Sequence, residues 1–241
     1  MTTVAFEDRA VAFIDVLGFR ALTSAAVSDS VTLERLGKLI ALLESAIPTL
    51  DRDVSVSVPT ALIPQHLYVS DSIILSAPIS VTLSGWSHYD GLSIIVMRAI
   101  QLTHAFAAEG YLVRGGVSIG KAWHTKKNIV GPAYIEAYQA EQSADMPRIL
   151  LTPDACEMWN RRRRGTSRMC IDYRGEFMVN GLFDYYVPGL DPSGAETAFR
   201  TYQDHATRVL SNCTSESVLQ KWRWFKQYLD DELPHALVYS V

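Results

Sequence analysis

Residues 9–19 read RAVAFIDVLGF, and the reading of this stretch decides the fold. Residues 9–16 are rich in Ala, Val, Phe and Ile and stop at Leu17-Gly18-Phe19, the pattern of a short strand covered on both faces. Asp15 closes the otherwise apolar strand. A carboxylate there is costly to bury unless a cation or strong hydrogen-bond donors lie beside it. The bland alternative is a helix cap.

Outward from this strand, Val31, Leu33, Leu36, Leu39, Ile40, Leu43 and Ile47 recur at helical spacing from Ser30, so a long helix is expected to end before Pro48. Residues 54–63 alternate apolar and polar. After Pro64 the run HLYVSDSIILSA places Ser70-Asp71-Ser72 between two strand-like halves, as a hairpin turn would. Residues 92–108 predict a second helix stopped by Gly110, and residues 111–123 a further strand. A Lys126-Lys127-Asn128 turn follows, then a helix opened by Gly131-Pro132, a strand over 148–152 and a short helix over 153–159. The order β-α-β-β-α-β up to about residue 152 is that of a ferredoxin-like split unit. Beyond it the pattern predicts strands over 169–173 and 177–187, a Pro/Gly turn at 188–194 and one long C-terminal helix. The fold class expected is therefore α+β, a core of residues 1–155 carrying an extension of residues 156–241 packed on the same domain.

The chain has 241 residues, 48% hydrophobic and 20% charged, enough to bury a sizeable core. Its 22 Lys and Arg against 26 Asp and Glu give a net charge of −4, which argues against a surface built to track nucleic acid. Cys156, Cys170 and Cys213 form no CxxC pair, the N-terminus carries no basic-then-apolar signal, and apolar stretches are broken well short of a membrane span, so a cytoplasmic protein is expected. His66, His88, His104, His124, His205 and His235 show no zinc spacing. Residues 161–164, four arginines, read as a solvated loop, and Trp222, Trp224, Phe225 and Tyr228 as packing.

Asp15 and Asp71 are each weak signals. In a ferredoxin-like sheet, however, the first strand neighbours the second-third hairpin, which brings both carboxylates to one edge. Hard oxygen ligands converging there suit Mn2+ or Mg2+ bridging nucleotide phosphates.

The motifs then become specific. Phe13-Ile14-Asp15-Val16-Leu17-Gly18-Phe19 resembles the first metal motif of class III nucleotide cyclases, and Ser70-Asp71-Ser72 their second, with Ser70 where those enzymes usually carry Gly. Residues 113–120, VRGGVSIG, are similar to their Arg-x-Gly-Ile-x-x-Gly strand, and residues 130–141 to their dimer-interface helix. The resemblance covers roughly residues 9–155. Within the family, the pattern is most similar to bacterial antiphage pyrimidine cyclases, which make cyclic UMP or cyclic CMP as an alarm signal.

The resemblance implies two metal ions per site, Mn2+ or Mg2+, held by Asp15, Asp71 and the backbone of Val16. It implies that Val16, Leu17, Gly18 and Phe19 cradle the triphosphate and that Arg114 or Lys121 neutralises pyrophosphate, Arg114 being equally able to anchor its strand. A homodimer with composite sites would cyclise a nucleoside triphosphate, with UTP preferred, and a separate cyclic-nucleotide-binding effector would read the product. The departures matter too. The Asn and Arg that purine cyclases carry on the last helix are Ile135 and Gln139 here, their purine-reading Lys is Leu67 and their adenine-reading Asp is Asn128. Tyr68, beside the hairpin, is expected to narrow the pocket to a single-ring base. A cytidylate or adenylate cyclase, or a degenerate nucleotide sensor, are the rival readings.

Overall fold

The computed structural model describes residues 3–52, 60–79, 90–163, 167–186 and 192–236. The apolar run forms β1 (Glu7–Val16), followed by α1 (Phe19–Ala26) and α2 (Ser30–Arg52). The hairpin is β2 (Gln65–Val69) and β3 (Ser72–Pro78); then come α3 (Gly91–Ala108), β4 (Val113–His124) and the short β5 (Ile129–Val130). α4 (Pro132–Ser143), β6 (Ile149–Leu151) and α5 (Pro153–Arg163) follow, and the extension contributes β7 (Cys170–Tyr173), β8 (Glu176–Val179), α6 (Pro192–Asn212) and α7 (Glu216–Glu232). Among the described residues the main sheet runs β2-β3-β1-β4-β6-β8-β7, with β5 paired to β4. Its first four strands, β2-β3-β1-β4, are antiparallel neighbours throughout, the ferredoxin-like arrangement expected for an α+β chain.

Strand parity sorts the side chains. Ala10, Ala12, Ile14 and Val16 of β1 face a large core shared with α2, α3 and α5, whereas Val11 and Phe13 face α4 with Ile74 and Ala122. α4 covers the second face only in part: Val69 of β2 stays exposed, as do Ile135 and Tyr138 on α4 itself. α4 lies very close to β4. A Cβ on Gly116 would run into the Ala137 carbonyl and sit 2.5 Å from the Ala140 Cβ, so glycine in this motif sets the distance between helix and sheet.

Several boundaries differ from the sequence expectation. α2 does not stop before Pro48 but continues to Arg52. The buried Arg98 of α3 accounts for this, since its guanidinium donates to the Leu50 carbonyl (3.1 Å) and to Asp51 (2.8 Å) and so holds the last turn. Asp15 caps no helix, because Gly18 is the N-cap of α1. α5 runs through residues 161–163 rather than ending in a loop, with Arg162 paired to Asp90 at 2.8 Å. The strand expected over 177–187 ends at Val179, and residues 184–186 form a 3-10 turn. The single C-terminal helix is two, α6 and α7, broken at residues 213–215. Residues 54–59 and most of the expected 188–194 turn lie outside the described residues. α3 is long and apolar enough by composition to cross a membrane, yet most of it is buried in the core.

Trp222, Phe225 and Tyr228 of α7 are buried together with Phe199 and Tyr202 of α6, so the aromatic group is packing. His104 of α3 is buried among them. Its Nε2 is 3.1 Å from the Phe183 carbonyl, which can only accept, and its Nδ1 is 2.9 Å from the Tyr202 hydroxyl, so the ring is the neutral Nε2–H tautomer. Burial brings its pKa down from 6.5 to about 4. A lowered histidine pKa means that the unfolded chain binds the extra proton below pH 6.5, so stability falls as pH drops from 6.5 toward 4. This group contributes a loss of about 3 kcal/mol across that window. Denaturant unfolding at stepped pH is expected to show it, and His104→Gln to flatten the slope while lowering stability at pH 7. Gly116→Ala is expected to cost about 1–3 kcal/mol by forcing α4 off the sheet, read as a lowered urea midpoint.

Candidate active site

The register of β1 builds the site. Asp15 stands opposite Ser72 of β3 on one side and opposite Arg114 of β4 on the other. The Ser72 hydroxyl donates to Asp15 Oδ1 (3.2 Å), and Arg114 Nε lies 3.6 Å from Asp15 Oδ2. Arg114 is also only 2.7 Å from Glu141 Oε1 on α4, a carboxylate that is 1% exposed. Arg114 Nη1 reaches the Ala144 carbonyl at 3.4 Å. The arginine therefore ties β4 to α4 and leans on Asp15, which fits the strand-anchoring role.

Asp71 enters from the β2–β3 turn. The turn is tight, with Ser70 in the left-handed region at φ 59°, a conformation that glycine adopts without strain and a side-chain-bearing residue rarely does. The Val16 N–H donates to the Asp71 carbonyl (3.2 Å) and the Leu17 N–H to the Leu112 carbonyl (2.9 Å). Both sides of the turn after β1 are thus pinned. Gly18 then adopts φ 87°, a conformation that strains side-chain-bearing residues, and launches α1. The N–H groups of the first turn of α1 have no intrahelical acceptors, so the strand end presents backbone donors beside two carboxylates.

The electrostatics are unbalanced. Burial, then the charges of Asp71 and Glu141, push the Asp15 carboxyl from 3.8 up to about 6, against the opposing pull of Arg114 and Ser72. Glu141 is raised as well, by burial foremost and by Asp71. Asp15 and Glu141 thus share one guanidinium, with the Asp71 charge repelling both. Among the described residues no three His, Cys, Asp or Glu side chains converge as a ready-made metal cage. Two aspartates with backbone carbonyls fit a divalent ion that keeps water and phosphate oxygens as its remaining ligands, as Mg2+ does.

Of the residues singled out in the sequence, Asp15, Val16, Leu17, Gly18, Phe19, Asp71 and Arg114 come together. Tyr68, Lys121 and Asn128 do not. Tyr68 pairs with Ile73, a residue of the α2–α3 face, and packs there against the backbone at Ile47, so its ring is on the opposite side of the sheet from Asp15. Leu67 is the β2 residue on the Asp15 side, packed with Ile74 and Phe13. Lys121 is exposed near the far end of β4, paired with Asp8 at 2.9 Å and turned to the α2–α3 face with Val117 and Ile119. Asn128 is exposed in the following turn, its N–H donating to Thr125 Oγ1 (3.2 Å) and its carbonyl accepting from the Thr125 N–H (2.8 Å). At about 3.3 Å per residue, the far end of β4 is roughly 33 Å from Arg114. Glu141 and Ser72 are the contributors that motif reading left without a role. Their pairing is tertiary and leaves no local sequence signal.

No protein-family model matches the chain, and no curated protein matches it. Solved structures do. The dimeric guanylyl cyclase domain of the RhoGC fusion protein from the aquatic fungus Blastocladiella emersonii is 15% identical, with a TM-score of 0.51 over 73% of this chain and 97% of that one. The guanylate cyclase domain of RhGC from Catenaria anguillulae, solved with GTP, is 16% identical, with a TM-score of 0.47 over 71% and 93%. A class III adenylyl cyclase-like ATP-binding protein from Pseudomonas aeruginosa is 12% identical, with a TM-score of 0.46 over 80% of this chain and 40% of that one. The first of these carries the fold comparison: this chain is a mixed α+β domain with the class III nucleotide cyclase fold.

Proposed function

We propose that the protein is a nucleoside triphosphate cyclase, forming a 3′,5′-cyclic monophosphate and pyrophosphate. The observation that carries the reading is the convergence of Asp15 and Asp71 beside the pinned turn that opens α1. In this reading Asp15, Asp71 and the Val16 backbone hold Mn2+ or Mg2+, two per site. The ions would neutralise the triphosphate and favour ionisation of the ribose 3′-hydroxyl. The chain itself positions. First-turn N–H groups of α1 and the Leu17-Gly18-Phe19 backbone orient phosphate oxygens, while the Arg114–Glu141 pair holds the floor of the site rigid. Phosphoryl transfer asks chiefly for such alignment and charge neutralisation.

The site is half a site in one chain, and its completion by a second copy is part of the proposal. Asn128 cannot reach Asp15 in its own subunit, so a base-reading role for it requires a head-to-tail homodimer. The outer face of α4, with exposed Ile135, Tyr138 and Gln139, is on the same side of the sheet as exposed Val69 at its edge, and together they offer apolar surface suited to that contact. A pyrimidine base, with UTP first and CTP second, is the finer reading. Its support is now Leu67 and Asn128 in place of charged purine readers, because Tyr68 is on the other sheet face. An antiphage signalling role, a cytoplasmic setting and a separate effector that reads the product belong to the same proposal. The adenylate cyclase and the non-turning sensor are the alternatives.

Incubating the protein with each of the four nucleoside triphosphates and Mn2+, with chromatography of the products, separates these readings. Cyclic UMP is expected as the main product. Faster cyclisation of ATP or GTP would remove the pyrimidine reading, and no cyclic product from any of the four would leave the sensor. Asp15→Asn and Asp71→Asn are each expected to lower the rate at least about a thousandfold, on the order of 4 kcal/mol of transition-state stabilisation, while keeping the circular dichroism of the parent.

A further inference from the structure

Behind the turn that opens α1, on the side away from α4, lies a pocket of about 540 Å³ that the cyclase reading does not use. One wall is the catalytic turn itself, Leu17 and Gly18, continued by Ala21, Leu22 and Ala25 of α1. The opposite wall belongs to the C-terminal extension: Val209 near the end of α6, and Val218 and Trp222 of α7. The interior is thus mainly apolar, with the rings of Tyr111 and Trp222 among the aliphatic side chains and Thr32 and Asn212 as polar neighbours. Three cations line it, Arg35 and Arg208 exposed and Lys221 half-buried. Most basic side chains of the described residues are ion-paired, Arg9, Arg98, Arg114, Arg148 and Arg168 among them. Arg35, Arg208 and Lys221 all line this pocket, and none has a carboxylate partner among the described residues. They are nonetheless held in place. The Arg35 guanidinium lies 5.5 Å from the Tyr111 ring centroid, and Arg208 Nη2 donates to His205 Nδ1 at 2.5 Å, with His205 Nε2 donating to the Ala108 carbonyl at 3.0 Å. Lys221 Nζ donates to Ser217 Oγ at 2.9 Å.

We infer that this pocket is a second ligand site, for a small free amphiphile with one anionic head and an apolar body, such as a medium-chain carboxylate. The volume suits a ligand of that size. The walls bury a hydrocarbon tail, and three unpaired cations supply the counter-charge that a neutral or cationic ligand would leave unused. Because Leu17 and Gly18 belong both to this wall and to the turn beside Asp15, occupancy acts on nucleotide turnover. That second clause rests on the cyclase reading, whereas the pocket assignment does not.

Isothermal titration of the full chain with decanoate below its micelle concentration tests the pocket. A saturable single-site isotherm is expected, at least tenfold weakened in the Arg35→Ala/Arg208→Ala double variant and abolished in Ala25→Trp, which fills the cavity, with circular dichroism confirming that both fold. Absence of saturable binding, equal binding of decyltrimethylammonium, or undiminished binding by both variants would overturn the assignment. Saturating decanoate is expected to shift the KM for the cyclised nucleotide at least threefold in the parent and not in Ala25→Trp. An unchanged KM in protein that binds decanoate overturns the coupling. Absence of any cyclisation overturns the cyclase reading and leaves calorimetry to decide the pocket.

Discussion

The antiparallel register of β1 between β3 and β4 is the constraint on which the site depends. It sets Asp15 level with Ser72 on one side and Arg114 on the other, and the next residue along, Val16, donates its N–H to the Asp71 carbonyl. A slip of one residue would turn Asp15 into the apolar core and Ile14 out of it, exchanging every side chain between the two faces. The core therefore enforces the geometry of the site. Ala10, Ala12, Ile14 and Val16 are all essentially inaccessible to solvent, and the burial of that row makes the slipped register prohibitively expensive.

The two faces of the sheet divide the labour. The α2–α3–α5 face is closed, and the extension lengthens the sheet through β8 and β7 while α6 and α7 pack against the end of α3. The buried Glu232 of α7 accepts from Asn180 (2.8 Å) and pairs with Arg168 (2.7 Å), which locks the last helix to the strand end of the extension. The α4 face is covered only in part: Phe13 is buried there, its ring meeting those of Tyr134 (6.2 Å) and Tyr138 (5.2 Å), while Ile135 and Tyr138 stay exposed. It is also the face that carries Asp15. The paired aspartates and the exposed apolar surface thus occur on the same side, while the other side supplies the stability.

Much of this was legible because it follows from local patterning. Alternation and run length located β1, the β2–β3 hairpin and β4, and hairpin geometry placed Asp71 next to Asp15. What escaped reading depends on tertiary contacts. α2 continues through Pro48 because a buried arginine from another helix donates to the Leu50 carbonyl in its last turn, and nothing near Pro48 announces that. α1 is only eight residues long and has no side-chain cap, so it lacks both usual start signals. Tyr68 failed by parity. It is adjacent to Leu67, and in a strand adjacent residues face opposite ways, so proximity in sequence to the hairpin turn said nothing about proximity to Asp15. The Arg114–Glu141 pair joins a strand to a helix through space and had no local signature.

The charge balance around Asp15 explains why the site lies where the strands end. Asp15 and Glu141 face one arginine and are both repelled by Asp71, and burial raises the cost, which pushes Asp15 up to about 6. Deep in the sheet such a group would oppose folding outright. At the strand terminus the repulsion is softened by solvent, and the backbone donors of the α1 turn stay free because no further strand residue claims them. The same placement leaves the site short of positive charge. A divalent cation held by Asp15 and Asp71 would relieve that deficit, so the arrangement favours cation-bound over empty protein without requiring the fold to be built around the ion. Stability comes from the apolar rows on the closed face, and the strained carboxylates are held in place by them.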